Sequence, residues 1–150
     1  MITLKQGKEQ SLLRFHPWVF SGAIAHLDEA EEGDVVDVVS SHGEFLARGH
    51  YQIGSIAVRI LTFDADERID QSFYTNRIRQ AYELRKDVGL VGNPDTTAYR
   101  LVFGEGDCLP GLVVDVYDTT AVMQLHSVGM YRDRAMVEQA LRDVMGESLK

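Results

Sequence analysis

Two carboxylates on a glycine-rich segment are the residues of this sequence whose types and spacing could do chemistry. Glu105 and Asp107 alternate with Gly104 and Gly106 within residues 100–117, RLVFGEGDCLPGLVVDVY. Such alternation lets the backbone bend sharply while both carboxylates project from a loop. Because neither a histidine nor a metal-ligand pattern accompanies them, the simpler interpretation is a tight connection with solvated acids. The alternative is a shaped loop lining a pocket, in which the carboxylates accept a ligand or an arginine.

The elements that must position this loop are two short strands. Residues 99–103 and 112–117 are short runs of aromatic and β-branched residues, which predict strands on either side of the loop. Pro110 fixes φ and Gly111 accepts a positive φ, so residues 109–112 fit a type II turn. The glycine-rich segment therefore joins two strands, and no helix is predicted directly after it.

A second group of candidate residues is basic and lies near the N-terminus. The chain carries a net charge of −8, and six of its acids fall within residues 28–37. Because salt screens exposed charges beyond about 8–10 Å, a local basic face can exist on an acidic protein. The basic residues of this region have only Glu9 among them, and they are Lys5, Lys8 and Arg14, with His16 following.

The pattern of short strands in the first 65 residues predicts a small β-barrel. Five or six strands are spaced by turns, and Gly43 lies where a hairpin between residues 35–39 and 44–52 needs a positive φ. Trp18, the single tryptophan, is predicted to anchor the barrel core, with base stacking as the alternative role.

Helical signals follow a linker over residues 64–69. Asp70 is a good N-cap for a helix from Gln71 to about Val88, and Gly89 suits the position after its end. A strand is predicted over residues 120–127, and a single last helix is predicted to begin at Gly129. The sequence thus predicts an α+β protein.

Composition excludes several classes of protein. A length of 150 residues suits one ordinary domain or two small ones. No window approaches the roughly 20 apolar residues of a membrane span, and the first residues lack the apolar core of a signal peptide. The single cysteine, Cys108, excludes an internal disulfide, and no Cys or His spacing predicts a metal site.

Two stretches resemble one enzyme family. Residues 100–117 resemble the pattern RL-x-x-GE-x-D-x-LPGL-x-VD-x-Y of S-adenosylmethionine-dependent RNA methyltransferases, the type that makes 5-methylcytosine in large-subunit ribosomal RNA. Residues 4–24, LKQGKEQSLLRFHPWVFSGAI, are similar to the N-terminal PUA domain of that family, a small β-barrel found in RNA-modifying enzymes. The two matches bracket nearly the whole chain.

The resemblance implies a domain order and candidate sites. Residues 1–66 would form a PUA-like RNA-binding β-barrel. Residues 67–150 would form part of a middle α+β domain, with antiparallel strands and two helices, and the C-terminal methyltransferase domain would be absent. A loop carrying Arg100, Glu105 and Asp107 would face that missing domain. The implied RNA contacts are Lys5, Lys8, Arg14, His16 and Arg48.

The resemblance implies S-adenosylmethionine as the cofactor of the full-length protein only. Class I enzymes hold this cofactor at a glycine-rich turn between a parallel strand and a helix, and the sequence shows no such unit. Cys108 stands where the family usually has glycine, and no base is visible beside it, so no catalytic residue is expected in this chain. We therefore expect residues 1–150 alone to bind no cofactor.

The leading hypothesis is a cytoplasmic, RNA-recognising portion of a ribosomal RNA methyltransferase. A free-standing RNA-binding or adaptor module without catalysis is the alternative, and a small hydrolase using Glu105 and Asp107 is a third and weaker one. No membrane association is expected. Because a sheet that lacks an outer strand presents unpaired backbone groups, a homodimer formed through the middle domain is also predicted.

Overall fold

A six-stranded sheet and a three-stranded sheet organise the chain. The computed structural model describes residues 1–150 and divides them into two compact units. The first unit comprises Met1–Glu67 and Ser127–Gly129, and the second comprises Arg68–His126 and Met130–Lys150. The mixture of helices and strands confirms the α+β prediction.

The first unit is a curled sheet in which every strand pair is antiparallel except one, β1 with β4. The strand order is β2-β6-β5-β4-β1-β3, and a short helix, α1, follows β1 in the chain. This curled sheet confirms the predicted PUA-like architecture. The elements are β1 (Ile2–Leu4), α1 (Gln10–Leu13), β2 (Trp18–Phe20), β3 (Ile24–Leu27), β4 (Val35–Val39), β5 (Phe45–Tyr51) and β6 (Ile56–Thr62).

Local signals explain the hairpin between β4 and β5. Gly43 adopts φ +83°, as the turn requires, and the Ser40 hydroxyl accepts hydrogen bonds from the amides of His42 and Glu44 at 3.2 Å each. Farther along β5, Gly49 lies so close to β6 that a Cβ built on it would be 2.1 Å from the carbonyl oxygen of Arg59. The sheet therefore curls tightly at a position that only glycine fits.

Trp18 lies at the edge of this core rather than inside it, so the predicted role of core anchor is wrong. Side chains alternate along a strand, and β2 directs Val19 inward, where it is 3% exposed. Trp18 is only half-buried, and Phe20 on the same face is exposed. The buried cluster is formed instead by Ile2, Leu4, Leu12, Val19, Val36, Val38, Ala47, Val58 and Ile60.

Three residues from far along the chain complete the first unit. Gly129 lies directly on the ring of buried His50, since a Cβ built on Gly129 would be 2.1 Å from a ring carbon. The amide of Val128 donates a hydrogen bond to the side-chain oxygen of Gln52 at 3.2 Å. The segment Ser127–Gly129 therefore packs against the end of β5.

The second unit places helices against a three-stranded antiparallel sheet of order β7-β8-β9. The predicted helix α2 is confirmed: the Asp70 carboxylate accepts from the amide of Phe73 at 3.1 Å, and Gly89 adopts φ +81° after its end. The elements are α2 (Gln71–Asp87), β7 (Ala98–Phe103), β8 (Leu112–Tyr117), β9 (Thr120–Leu125), α3 (Val128–Arg132), which begins in the first unit, and α4 (Arg134–Met145).

The last helix is divided in two at Asp133, so the prediction of a single helix from Gly129 is wrong. The buried hydroxyl of Tyr74 donates to the Asp133 carboxylate at 2.5 Å. The carbonyl of Asp133 then accepts from the amides of Met136 and Val137, which opens α4. Burial, followed by the Asp133 carboxylate, raises the pKa of Tyr74 well above its ordinary value, so its hydroxyl remains a donor.

None of these helices combines the length and the apolar character that a membrane crossing requires.

Candidate nucleic-acid interface

The turn before α1 and the segment around β2 bring two of the predicted RNA-contact residues, Lys5 and Lys8, together on the surface of the first unit. Gly7 adopts φ +80°, and the amide of Lys8 donates to the carbonyl of Lys5 at 3.1 Å. The ammonium group of Lys5 donates to the carbonyl of Gly22 at 2.9 Å. Lys8 lines a groove that Gly22 also borders. The two lysines are therefore close together, and both are exposed.

Arg14 follows α1 on the same segment. Leu12 is 2% exposed and anchors the helix in the core, which leaves Arg14 on the surface. Neither Lys8 nor Arg14 makes a side-chain hydrogen bond or ion pair within the chain. Both charges are thus available to an external anion. Residues 1–27 contain three Lys or Arg and one acid, whereas the whole chain carries −8.

His16 has a positioning role in this segment. Its Nδ1 accepts a hydrogen bond from the amide of Trp18 at 3.1 Å, and its half-buried ring lies 6.0 Å from those of Trp18 and Phe20, centroid to centroid. Phe15, just before it, adopts φ +61°, which is unusual for a bulky side chain. His16 therefore orders the aromatic residues that border the lysines.

Arg48 differs from the other predicted contacts, because its guanidinium is used inside the protein. It pairs with Asp37 directly across β4 and β5, with Nε 2.6 Å from the carboxylate, and it also donates to the carbonyls of Ala65 and Glu67. The hydrogen bond to Asp37 is the main cause that raises the pKa of Arg48. These bonds fasten residues 65–67 to the sheet, and they leave Arg48 outside the basic face.

In the second unit, the structure separates the two loop carboxylates. Asp107 is turned inward: its carboxylate receives both terminal nitrogens of Arg85, one at 2.8 Å, and the amide of Phe103 at 2.6 Å. The side chains of Asp107 and Arg85 are 5% and 13% exposed. Glu105 is exposed. Asp107 is thus an acceptor for an arginine, as the alternative interpretation of this loop anticipated. The two carboxylates do not share an environment in which they could act together in a hydrolase.

Arg100 pairs across the sheet with Asp115. The Arg100 guanidinium donates to both carboxylate oxygens, at 2.8 and 3.1 Å, and lies 5.4 Å from the centre of the Phe103 ring. The hydrogen bond from Arg100 is the main cause that holds the pKa of Asp115 below its usual value. Arg100 and Glu105 remain on the surface. That their loop faces another domain stays a prediction.

The residues present do not form an S-adenosylmethionine site of the class I type. That site needs a glycine-rich turn between a parallel strand and a helix. Here the turn Gly104–Asp107 follows β7, and the next element is the antiparallel strand β8. Cys108 is exposed and adopts φ +59° at the end of the turn. No cluster of three or more His, Cys, Asp or Glu side chains is placed to hold a metal ion.

Comparison with known proteins bears on both units. A family model described as a PUA-like domain matches residues 2–63. The chain is 42% identical over 148 residues to "Ribosomal RNA large subunit methyltransferase I" of Enterobacter sp. strain 638, and 42% identical over 148 residues to that of Escherichia coli O1:K1. Along nearly its whole length, the chain is therefore similar to one part of these relatives. These matches include 97% of the chain, which spans 37% of the length of each relative.

Solved structures share the fold at lower identity. A candidate SAM-dependent methyltransferase from Streptococcus mutans superposes with a TM-score of 0.80 at 20% identity, covering 95% of this chain and 37% of that one. A second candidate methyltransferase, crystallised with SAH, superposes with a TM-score of 0.79 at 21% identity, covering 96% and 37%. The architecture of residues 1–150 therefore recurs within longer chains.

Proposed function

We propose that residues 1–150 form the RNA-recognition region of a cytoplasmic, S-adenosylmethionine-dependent ribosomal RNA cytosine methyltransferase. The observation that carries the proposal is the group of exposed basic residues Lys5, Lys8 and Arg14 on the PUA-like unit, which we call the basic face. The relationship to the ribosomal RNA large subunit methyltransferases I supports RNA as the partner. In this proposal a C-terminal domain, outside residues 1–150, holds the cofactor and transfers the methyl group.

The basic face contributes phosphate contacts rather than sequence readout. Lys8 and Arg14 have exposed cationic ends without an internal partner, and the ammonium of Lys5 uses one of its three donors on Gly22. Side chains of this kind fix the orientation of RNA through its phosphates. His16 supports the face by ordering the neighbouring aromatic residues, and Arg48 is left out of the proposal.

Replacing Lys5, Lys8 and Arg14 together by alanine is expected to abolish RNA binding by the chain. The interaction rests on few charges, so in the unchanged protein the logarithm of affinity should fall with the logarithm of salt at a shallow slope, with each phosphate contact contributing about 0.7–0.9 to that slope. Fluorescence anisotropy with a labelled fragment of large-subunit ribosomal RNA, repeated at several salt concentrations, measures both quantities.

A matched control removes the same charge from the second unit. Arg68, Arg79 and Lys86 are exposed, and changing all three to alanine alters the net charge by the same amount. We expect this variant to bind RNA nearly as the unchanged chain does. If the control variant lost binding and the first triple variant kept it, the RNA surface would lie on the second unit and the proposal for the first unit would be wrong.

We further propose that the loop carrying Arg100 and Glu105 faces the catalytic domain. Both side chains are exposed on the turn and strand next to the inward-facing Asp107. Asp107 would contribute by holding the turn in shape rather than by touching the neighbouring domain.

We also propose self-association of this chain through residues 67–150. In the three-stranded sheet, β7 and β9 are the outer strands, and each has one edge without a strand partner. Such edges pair readily with a second copy, and a two-fold dimer is the usual closed arrangement. Light scattering at several concentrations should show a dimer. A mass that stays monomeric throughout, or a dimer joined through residues 1–65, would contradict the proposal.

A further inference from the structure

A groove of about 340 Å³ lies on the basic face of the first unit. Its floor is apolar and comes from β1, α1 and β2, three of the elements that contribute to the core. Its rim carries the ammonium group of Lys8, the hydroxyl of Ser11 and the backbone of Gly22. The carbonyl of Gly22 accepts a hydrogen bond from the ammonium group of Lys5. The lining residues include no carboxylate, and they are Leu4, Lys8, Ser11, Leu12, Val19, Phe20, Gly22 and Ala23.

Phe20 is the aromatic residue that lines this groove. The side chain is 49% exposed although it sits in a strand beside a well-packed core. Its ring contacts that of Trp18 edge to face, at 6.2 Å between centroids, and lies 6.0 Å from the ring of His16. The ring is thus supported by its neighbours and retains accessible surface beside the groove. An aromatic surface held in this way is suited to receive another flat ring.

We propose that this groove takes one unpaired base of the bound RNA, stacked on Phe20, with an adjoining phosphate at Lys8 and Lys5. The inference rests on the proposed function, and it names the class of RNA: a single-stranded segment, since the faces of a base inside a duplex are already stacked. Ser11 and the backbone near Gly22 would offer hydrogen-bonding groups to the edge of the base.

Charge and shape together favour a nucleotide over an apolar peptide as the occupant. A base presents two flat apolar faces, a polar edge and an attached phosphate. The groove offers an aromatic residue, polar groups and one ammonium group at its rim, and the ammonium group of Lys5 lies beside it at Gly22. Stacking on aromatic side chains is sequence-tolerant because every base has such a face. The groove therefore predicts a preference for single strands without a strong preference for one base.

The test compares single-stranded and duplex RNA of the same sequence, each about ten nucleotides long, with the 150-residue chain. The unchanged protein should bind the single strand more tightly. Phe20→Leu keeps an apolar side chain but removes the aromatic face, and it should weaken single-strand binding about tenfold while leaving the salt slope unchanged. Trp18, the single tryptophan, lies beside Phe20, so its fluorescence should change with the single strand.

Tyr131→Leu is the control, since Tyr131 is an exposed aromatic residue of the second unit, and it should leave binding unchanged. Circular dichroism on both variants establishes that each is folded. Equal affinity of the unchanged protein for single strand and duplex, or unaltered binding by folded Phe20→Leu, would refute the base groove. Neither result would contradict salt-dependent RNA binding by the basic face. Absence of any RNA binding would refute both. If Phe20→Leu fails to fold, two measurements on the unchanged protein decide whether the groove takes a base: its preference for single-stranded over duplex RNA and the change in Trp18 fluorescence.

Discussion

Replacing Gly49 by alanine is expected to destabilise the first unit by about 3 kcal/mol or more. The added Cβ would lie 2.1 Å from the carbonyl oxygen of Arg59 and 2.8 Å from the Cα of Ile60. Both are backbone atoms of β6, so relief requires the two strands to separate, and no rotation of a side chain can provide it. Urea denaturation followed by far-UV circular dichroism should show a lower midpoint with little change in slope.

Gly22→Ala is the matched control in the same unit. A Cβ on Gly22 meets no atom within 4 Å, and its backbone does not adopt a positive φ. We expect a change within about 0.5 kcal/mol, the usual range for surface substitutions. A Gly49→Ala chain as stable as the control would show that β5 and β6 are farther apart in solution than the structure has them.

Replacing Asp107 by alanine is expected to destabilise the second unit by about 3 kcal/mol. The substitution removes the bidentate partner of Arg85 and the acceptor for the amide of Phe103, and both Asp107 and Arg85 are largely buried. A nearly buried guanidinium would then lose its counter-charge, which costs more than the pair contributes when intact. The midpoint of urea denaturation again measures the loss.

Glu105→Ala tests whether the effect belongs to the buried pair or to the acidic turn as a whole. Glu105 is exposed two residues away on the same turn, so its removal should change stability little. The double variant Arg85→Ala with Asp107→Ala should lose less stability than the sum of the losses of the two single variants. Removing both side chains leaves no buried charge without its partner. Additive losses, or equal losses for Glu105 and Asp107, would count against this account.

Elements specified by neighbouring residues could be predicted from the sequence. The helix α2 begins with its own N-cap, Asp70, and ends before Gly89, and the β4–β5 hairpin turns at Gly43. These signals act within a few residues, so a single sequence displays them. The glycine-rich stretch was likewise correctly predicted as a strand connection, because Pro110 and Gly111 specify its turn; the amide of Leu112 donates to the carbonyl of Leu109 at 3.1 Å.

Features that depend on partners distant in the sequence could not be predicted in this way. The division of the last helix at Asp133 involves Tyr74, which lies 59 positions earlier. The partner of Asp107 is Arg85, 22 positions away on α2. Asp37 pairs with Arg48 across the β4–β5 hairpin because the register shifts between Val38 and Val39, an irregularity that the hairpin turn at Gly43 does not specify.

The packing of Ser127–Gly129 on β5 has a consequence for the order of folding. A chain emerging from the ribosome presents residues 1–67 early, yet the backbone that covers the His50 ring is made only after β7, β8 and β9. Until then the His50 ring at the end of β5 remains uncovered. Domains made first generally fold first, but here the first unit needs a contact of long sequence separation to become complete. Translation must therefore pass Gly129 before the N-terminal unit reaches its final stability.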